Sequence, residues 1–311
     1  MVNRLKAGAA NCSCSGFLAQ TDALHRTEIY TSLGYERLKR KYDYIRNIYE
    51  TSGENWNQTF FTLLLRFLGA PNNSDAFTAL ATRVGYGTVL RYAQSQRTIE
   101  ALLIGGSGLL EAYRDDEYTL DLKREFAYLA HKHSIEPMAP SDWKTANINP
   151  NNHPIIRMAQ AAAFLAQHDF VMYNILECRT PKDAAQLFGV SASDYWLEHF
   201  VPSQPAPNAT SKNIGFFKSN ILAINVVAQL QYAYGSYIGS DRLRDRAITL
   251  LETVPPEDNV KVRKWTAGGV STKNAFETQA LIQLTDEYCR RQRCEECPIG
   301  RRIIKSAAAC L

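Results

Sequence analysis

The sequence predicts an all-α protein, an irregular array of about a dozen helices. Two observations carry this. Apolar residues recur at helical spacing along almost the whole chain, and strict alternation over strand length is hard to find. Gly, Pro and Asn then interrupt these periodic runs at the places where helices would start and stop.

Taken in order, Thr21 to Thr51 reads as one long helix with Leu38, Tyr42, Ile45, Ile48 and Tyr49 on a stripe, stopped by Ser52-Gly53. Glu54 to Leu68 follows, with Trp56, Phe60, Leu63, Leu64 and Phe67 inward and Gly69 and Pro71 ending it. Ser74 caps a short helix to Val84, and Gly85 to Gln96 holds another. The apolar segment Thr98 to Ile104 runs into Gly105, Gly106 and Gly108. Leu120 to His133 is helical and is closed by Pro137 and Pro140, while Pro154 suits the first helical position of a stretch to Gln167. Thr180-Pro181-Lys182-Asp183 has the form of a capped helix start. Ser191 to Phe200 reads as a short helix, and Val201 to Ser211, rich in Pro, Ser and Asn, as an exposed linker. Ile214 to Tyr237, Asp241 to Thr253, Asp258 to Thr266 and Lys273 to Arg291 complete the array. This divides the chain into a helical region 1–200 and a second, 201–311, ending in a cysteine-rich basic tail, either as two parts or as one continuous domain.

Composition bounds the function. With 311 residues, 45% hydrophobic and 21% charged, the chain can bury a sizeable core and is not a disordered protein. A net charge of +4 does not by itself argue for nucleic acid; local clustering has to. No segment approaches the roughly 18 uninterrupted apolar residues of a membrane helix, since the longest run, around Ile221 to Leu230, is broken by Asn225 and Gln229. Met1 to Ala10 lacks the apolar stretch of a signal peptide, so a cytoplasmic location is expected.

Seven cysteines fall at 12, 14, 178, 289, 294, 297 and 310. An odd number in a chain without secretory features argues against a disulfide framework and leaves reduced thiols or a metal site. The sharpest signal is Cys289-x4-Cys294-x2-Cys297, whose two-residue gap lets two sulfurs point inward from a tight turn. Zn²⁺ takes four ligands tetrahedrally, and iron–sulfur clusters are also held by cysteine, so either is the expected cofactor. Cys310 is a candidate fourth ligand, as are Cys12 and Cys14 if the N-terminus folds back. Around these cysteines stand Arg290, Arg291, Arg293, Arg301 and Arg302, opposed by Glu295 and Glu296. Such a rim can contact the phosphates of nucleic acid. Equally, it can be a solvated helix end whose arginines complement the helix dipole.

Other motifs read as structure. Gly105-Gly106-Ser107-Gly108 lacks the Lys-Ser/Thr of a nucleotide loop and no strand precedes it, so a turn with close backbone approach is the better account. His131 and His133 are two apart and face different sides of a helix; His153, His168 and His199 are isolated. Glu100 in an apolar run, and Arg157 one turn from Gln160, are buried-polar candidates. No nucleophile, base and orienting acid assemble from the sequence.

Several phrases in order carry a family resemblance: Asn55-Trp56-x2-Thr59-Phe60, Ile99-Glu100-Ala101-Leu102-Leu103 with Gly108-Leu109-Leu110, Pro154-x2-Arg157-x-Ala159-Gln160, and Ala192-Ser193-Asp194-Tyr195-Trp196. Ala275-Phe276-x2-Gln279-Ala280-Leu281 and Glu287-Tyr288-Cys289 with Cys294-x2-Cys297-x-Ile299-Gly300 continue the pattern. The chain resembles the domain of unknown function 2851 family of bacterial proteins from about residue 12 to about residue 304. The resemblance implies a longer, β-rich N-terminal segment with nuclease-like acidic motifs, and this sequence departs from it by starting after that segment. The cysteine tail is also similar to the cluster-binding end of helix-hairpin-helix DNA glycosylases at Cys294 and Cys297, with a shorter gap before them and a longer one to Cys310. Together these imply a non-catalytic helical domain supporting a nucleic-acid-processing partner domain. The alternative expectation is a structural or protein-interaction domain with free thiols, no metal and an exposed apolar patch.

Overall fold

The computed structural model describes residues 6–9, 14–168 and 170–308. It is all-α, with a single two-stranded hairpin as the sheet among the described residues. In chain order the helices used below are α1 (Ser15–Gln20), α2 (Ala23–Thr51), α3 (Trp56–Leu68), α4 (Ser74–Val84), α5 (Tyr86–Leu90), α6 (Gln96–Glu100), α7 (Glu117–His133) and α8 (Pro154–Gln167). There follow α9 (Val171–Glu177), α10 (Pro181–Phe188), α11 (Phe216–Leu222), α12 (Ala228–Tyr237), α13 (Asp241–Thr253), α14 (Val260–Ala267), α15 (Ala275–Gln283) and α16 (Pro298–Ala308). Among the described residues, no helix is long and apolar enough to cross a membrane. The chain divides into two compact units, one made of residues 1–44 with 232–311 and the other of residues 45–231.

The unit of residues 45–231 grows from α3, whose start is set by Asn55: its side chain accepts hydrogen bonds from the backbone N–H of Asn57 and Gln58. Phe60, Phe61, Leu63, Leu64, Leu65 and Leu68 of α3 are all buried, and α3 packs on α4 and α8. α8 starts at Pro154, as the proline rule predicts, and most of its length is inside. Each of these large apolar side chains contributes about 1.5–3 kcal/mol by leaving water. Thr180 caps α10 through the backbone N–H of Asp183 at 3.1 Å.

Ser191 to Phe200 is not a helix of its own. A 3-10 turn, Asp194–Leu197, gives way to β1 (His199–Val201), which pairs antiparallel with β2 (Gln204–Pro205). The segment expected as a plain linker thus begins as a hairpin, because Ser203 takes the left-handed conformation that a tight turn needs. At Gly108, φ is +73° and an added Cβ would fall 1.9 Å from the Met138 carbonyl oxygen, so the glycine run is a close-packed turn.

Among the described residues, three helices carry a π turn: α6 continues into Ala101–Gly105, α11 into Ala223–Val227 and α15 into Leu284–Cys289. Each inserts one extra residue and rotates the side chains that follow onto a new face. In the unit of residues 1–44 and 232–311, α15 packs against α13 and α14, and α16 meets α1. Its core gathers Leu18, Ile29, Leu33, Trp265, Leu281, Leu284 and Ile299. Trp265 is fully buried and keeps its indole N–H satisfied by donating to Thr285 Oγ1 at 2.8 Å.

Candidate metal centre

Both ends of this unit contribute to one small cavity. The π turn Leu284–Cys289 closes on a hydrogen bond from the Arg290 N–H to the Thr285 carbonyl, 2.9 Å, and leaves Cys289 facing inward and buried. A tight loop follows, in which Gln292 adopts positive φ and the Arg293 N–H reaches the Tyr288 carbonyl at 2.9 Å. Cys294 and Cys297 lie on this loop and are buried, and Pro298 then begins α16. From the other end of the sequence, Cys14 stands at the N-cap of α1, half-buried against the same apolar cluster. Cys14, Cys289, Cys294 and Cys297 line a single cavity together with Ala9, Tyr288 and Gly300. Among the described residues, Cys14 is the fourth thiol lining this cavity. Cys12 and Cys310 lie outside the described residues.

Local geometry shapes the cavity. Gly300 passes so close to the loop that a Cβ there would fall 2.0 Å from the Cys294 carbonyl oxygen. The Cys297 sulfur accepts backbone N–H groups of Ile299 and Gly300, donors in the first turn of α16. Burial pushes the Cys297 thiol up, and those two hydrogen bonds oppose it only in part. Burial raises the Cys294 thiol as well, against the nearby positive charge of Lys6. Tyr288 donates to Glu36 at 2.9 Å, and burial is the first cause of a phenol held up to about 12. The donors are soft thiols in apolar surroundings, the set that suits zinc, copper(I) or iron–sulfur clusters and not hard oxygen-seeking ions. Among the described residues, no three His, Cys, Asp or Glu side chains are grouped to hold a single metal ion.

The arginines around this loop already have partners within the unit. Arg290 lies 3.5 Å from Asp286, Arg291 3.1 Å from Glu287 and Arg302 3.1 Å from Glu28. Arg293 pairs with Glu296, and Arg301 donates to the Glu296 carbonyl at 2.8 Å. Arg290, Arg291, Arg293 and Arg301 are exposed. Surface pairs of this kind are worth about 0–1 kcal/mol and are readily exchanged.

In the unit of residues 45–231, Glu100 is fully buried and accepts from Ser193 Oγ and Trp196 Nε1, each at 3.2 Å, from Gln96 at 3.1 Å and from the Tyr118 hydroxyl. Arg157 donates to Gln160 at 2.7 Å and to Asn152 at 2.5 Å. Glu100, Arg157 and Gln160 are thus buried polar groups, as their places in the sequence suggested. The sequence did not point to a column in which Tyr195 stacks between Tyr118 at 4.0 Å and His199 at 4.1 Å, because Tyr118 comes from a segment 77 residues away, by 195 − 118. Nor did it point to a cleft of about 580 Å³ edged by the exposed side chains of Leu90, Phe170 and Tyr173.

Fold and site define a helical protein in which four cysteines face one cavity. The chain belongs to the family described as "Protein of unknown function (DUF2851)", whose model matches residues 1–260. The loop carrying Cys289, Cys294 and Cys297 lies beyond the matched stretch, whereas Cys14 lies within it. No curated protein and no solved structure matches the chain.

Proposed function

We propose that Cys14, Cys289, Cys294 and Cys297 hold a thiolate-bound metal centre that staples the start of the chain to its C-terminal loop. We propose further that the chain works as a non-catalytic helical support beside a nucleic-acid-processing domain. The observation that carries the first part is the meeting of four thiols on one almost wholly apolar cavity, with Cys14 and Cys289 275 residues apart by the difference 289 − 14. Thiolates buried there without a cation would be strongly disfavoured, and a metal supplies the missing positive charge. The exposed guanidinium groups of Arg290, Arg291 and Arg293 support the second part, because a phosphate can replace their carboxylate partners.

Metal analysis of protein purified without oxygen tests the centre: zinc or iron near stoichiometry is expected, and metal-free protein sinks the proposal. For the rim, binding of duplex DNA and RNA is measured across salt concentrations. Replacing Arg290, Arg291 and Arg293 with Gln should flatten the slope of log K against log salt by about 0.9 for each phosphate no longer neutralised. An unchanged slope removes nucleic acid from the reading.

One observation favours the second reading, an interaction domain with no metal. Leu90, Phe170 and Tyr173 expose large apolar surfaces around one cleft, and Phe170 is 85% exposed. This reading expects Phe170→Ser to abolish the binding of an apolar fluorescent dye, with no metal in the wild type.

A further inference from the structure

We propose that the cleft edged by Leu90, Phe170 and Tyr173 is a binding site for a small, uncharged aromatic molecule, with the Phe170 ring as its cover. The site belongs to the unit of residues 45–231 and does not depend on the metal reading. It also gives the cleft a different occupant from the protein partner of the second reading. Size is the first argument. The volume of about 580 Å³ falls within the roughly 300–1,000 Å³ of pockets that enclose small ligands. A stable protein interface takes about 20–30 residues a side. Among the described residues, the large apolar side chains exposed around this cleft are three.

The lining decides the chemistry. Val89, Leu165 and Val171 are its buried apolar residues. Tyr86, Phe170 and Tyr173 bring three aromatic rings to it, which suit another ring offset or edge-on. Tyr86 is held in place from behind. Its backbone N–H donates to Gln58 Oε1 at 2.6 Å, and its ring stands 5.8 Å from Phe61 and 6.4 Å from Phe60. A wall fixed in this way spares a ligand the cost of ordering it. No Asp, Glu, Lys or Arg is among the described residues of the lining. Burial holds the His168 imidazole below its ordinary value, so this residue of the lining is neutral at pH 7. An ion entering here would give up its hydration without meeting a counter-charge, and an uncharged molecule would not.

The backbone at Phe170 supplies an independent observation. This residue precedes α9 with φ 51° and ψ 43°, in the left-handed region that a bulky side chain rarely adopts. Strain of this kind gathers at ligand clamps and active sites. The same residue leaves its ring 85% exposed, so packing within the unit recovers little of that strain. An aromatic ligand in the cleft would give the ring a partner and remove both from water.

The test titrates the full chain at pH 7 with 1-naphthol and with 1-naphthoate in a calorimeter. For 1-naphthol a dissociation constant of about 1 mM or tighter is expected from a ligand of its size. The naphthoate, which carries a charge at this pH, should bind about tenfold more weakly or not at all. Ala93→Leu puts a larger side chain on the lining and should remove naphthol binding while keeping the helical circular dichroism. Phe170→Gly should weaken binding severalfold without lowering the melting temperature, because glycine takes positive φ freely and the lost ring was exposed. Naphthol binding that survives in both variants would lie elsewhere and overturn the proposal, as would the absence of saturable binding. Naphthoate that binds as well as naphthol would overturn the uncharged class. A sedimentation mass that halves in Phe170→Gly, in a chain that ignores naphthol, would seat a second copy on the cleft instead. Removing metal with a chelator should leave naphthol binding unchanged, so this proposal and the metal centre fail separately.

Discussion

Gly300→Ala puts the geometry of the cysteine loop to a test in which two physical effects have opposite signs. Gly300 lies in the first turn of α16 with a helical neighbour on each side, and alanine is the better helix former by about 1 kcal/mol. On propensity alone the substitution should stabilise. The structure says otherwise: the new Cβ would lie 2.0 Å from the Cys294 carbonyl oxygen and 2.9 Å from its carbon. Carbon and oxygen in favourable contact stand about 3.3–3.6 Å apart, so the loop must retreat by roughly 1.3 Å or more. Overpacking of this kind costs about 1–3 kcal/mol, and the atom met is backbone, which cannot turn away. The clash wins by up to about 2 kcal/mol, and the same retreat displaces Cys294 from the cavity. Calorimetry should show a melting temperature lower by several degrees. Metal retention against a chelator should fall about 10- to 100-fold, as when the groups that orient a metal ligand are removed. A variant that melts above the wild type and keeps its metal would refute both the close approach and its role.

Two further outcomes concern the unit of residues 45–231. Glu100→Ala removes the acceptor shared by Tyr118, Ser193 and Trp196; Tyr118 and Ser193 keep each other at 3.2 Å, but the buried Trp196 N–H is left unsatisfied at about 1–3 kcal/mol, so urea unfolding should show a loss of that order, and no loss would sink the network. Burial lowers His153 from 6.5 to about 4, while its Nδ1 accepts the Ile155 N–H at 3.3 Å. As pH falls from 6.5 towards 4, the unfolded chain takes up a proton that the folded chain refuses, so stability declines through this window. The loss at pH 5 is about 2 kcal/mol. His153→Gln should flatten that part of the profile, and an unchanged slope between pH 7 and 5 would show that another group is responsible.

Much of the architecture was legible because it rests on local signals. Pro154 and Thr180-Pro181 mark their helix starts, and the apolar stripes of α3 and α13 mark their inward faces. The hairpin at His199 was not, since two short, partly exposed strands leave no periodic signal. The start of α16 carried a signal that reads either way, since Pro298 fits a helix N-terminus as well as a turn beside a metal; it is the first residue of α16. The π turn before Cys289 is invisible in sequence, because its extra residue looks like any other helical residue. Cys289, Cys294 and Cys297 stand out by their spacing, whereas the presence of Cys14 on the same cavity follows from the tertiary meeting of α1 with α16. Spacing reports proximity along the chain, and a thiol 275 residues away, by 289 − 14, lies beyond its reach.

The electrostatics of the centre also bears on how the arginines should be understood. Four thiolates on a doubly charged metal ion would leave a net charge of −2 in the apolar cavity proposed above as the metal centre. Lys6 acts on Cys294 and Arg301 on Cys297, each lowering the thiol against burial. On the reading proposed above, these two cations would offset part of that charge. Arg290 and Arg291 are tied to Asp286 and Glu287, on the π turn that leads to Cys289. The two roles differ in distance dependence. Charge compensation is carried by the residues nearest the sulfurs and persists in salt, because the site is buried. Phosphate contact is carried by the exposed guanidiniums and fades with salt. Arg301 belongs to the first group by its effect on Cys297, and Arg290 and Arg291 to the second by their exposure, so the five arginines need not share one purpose.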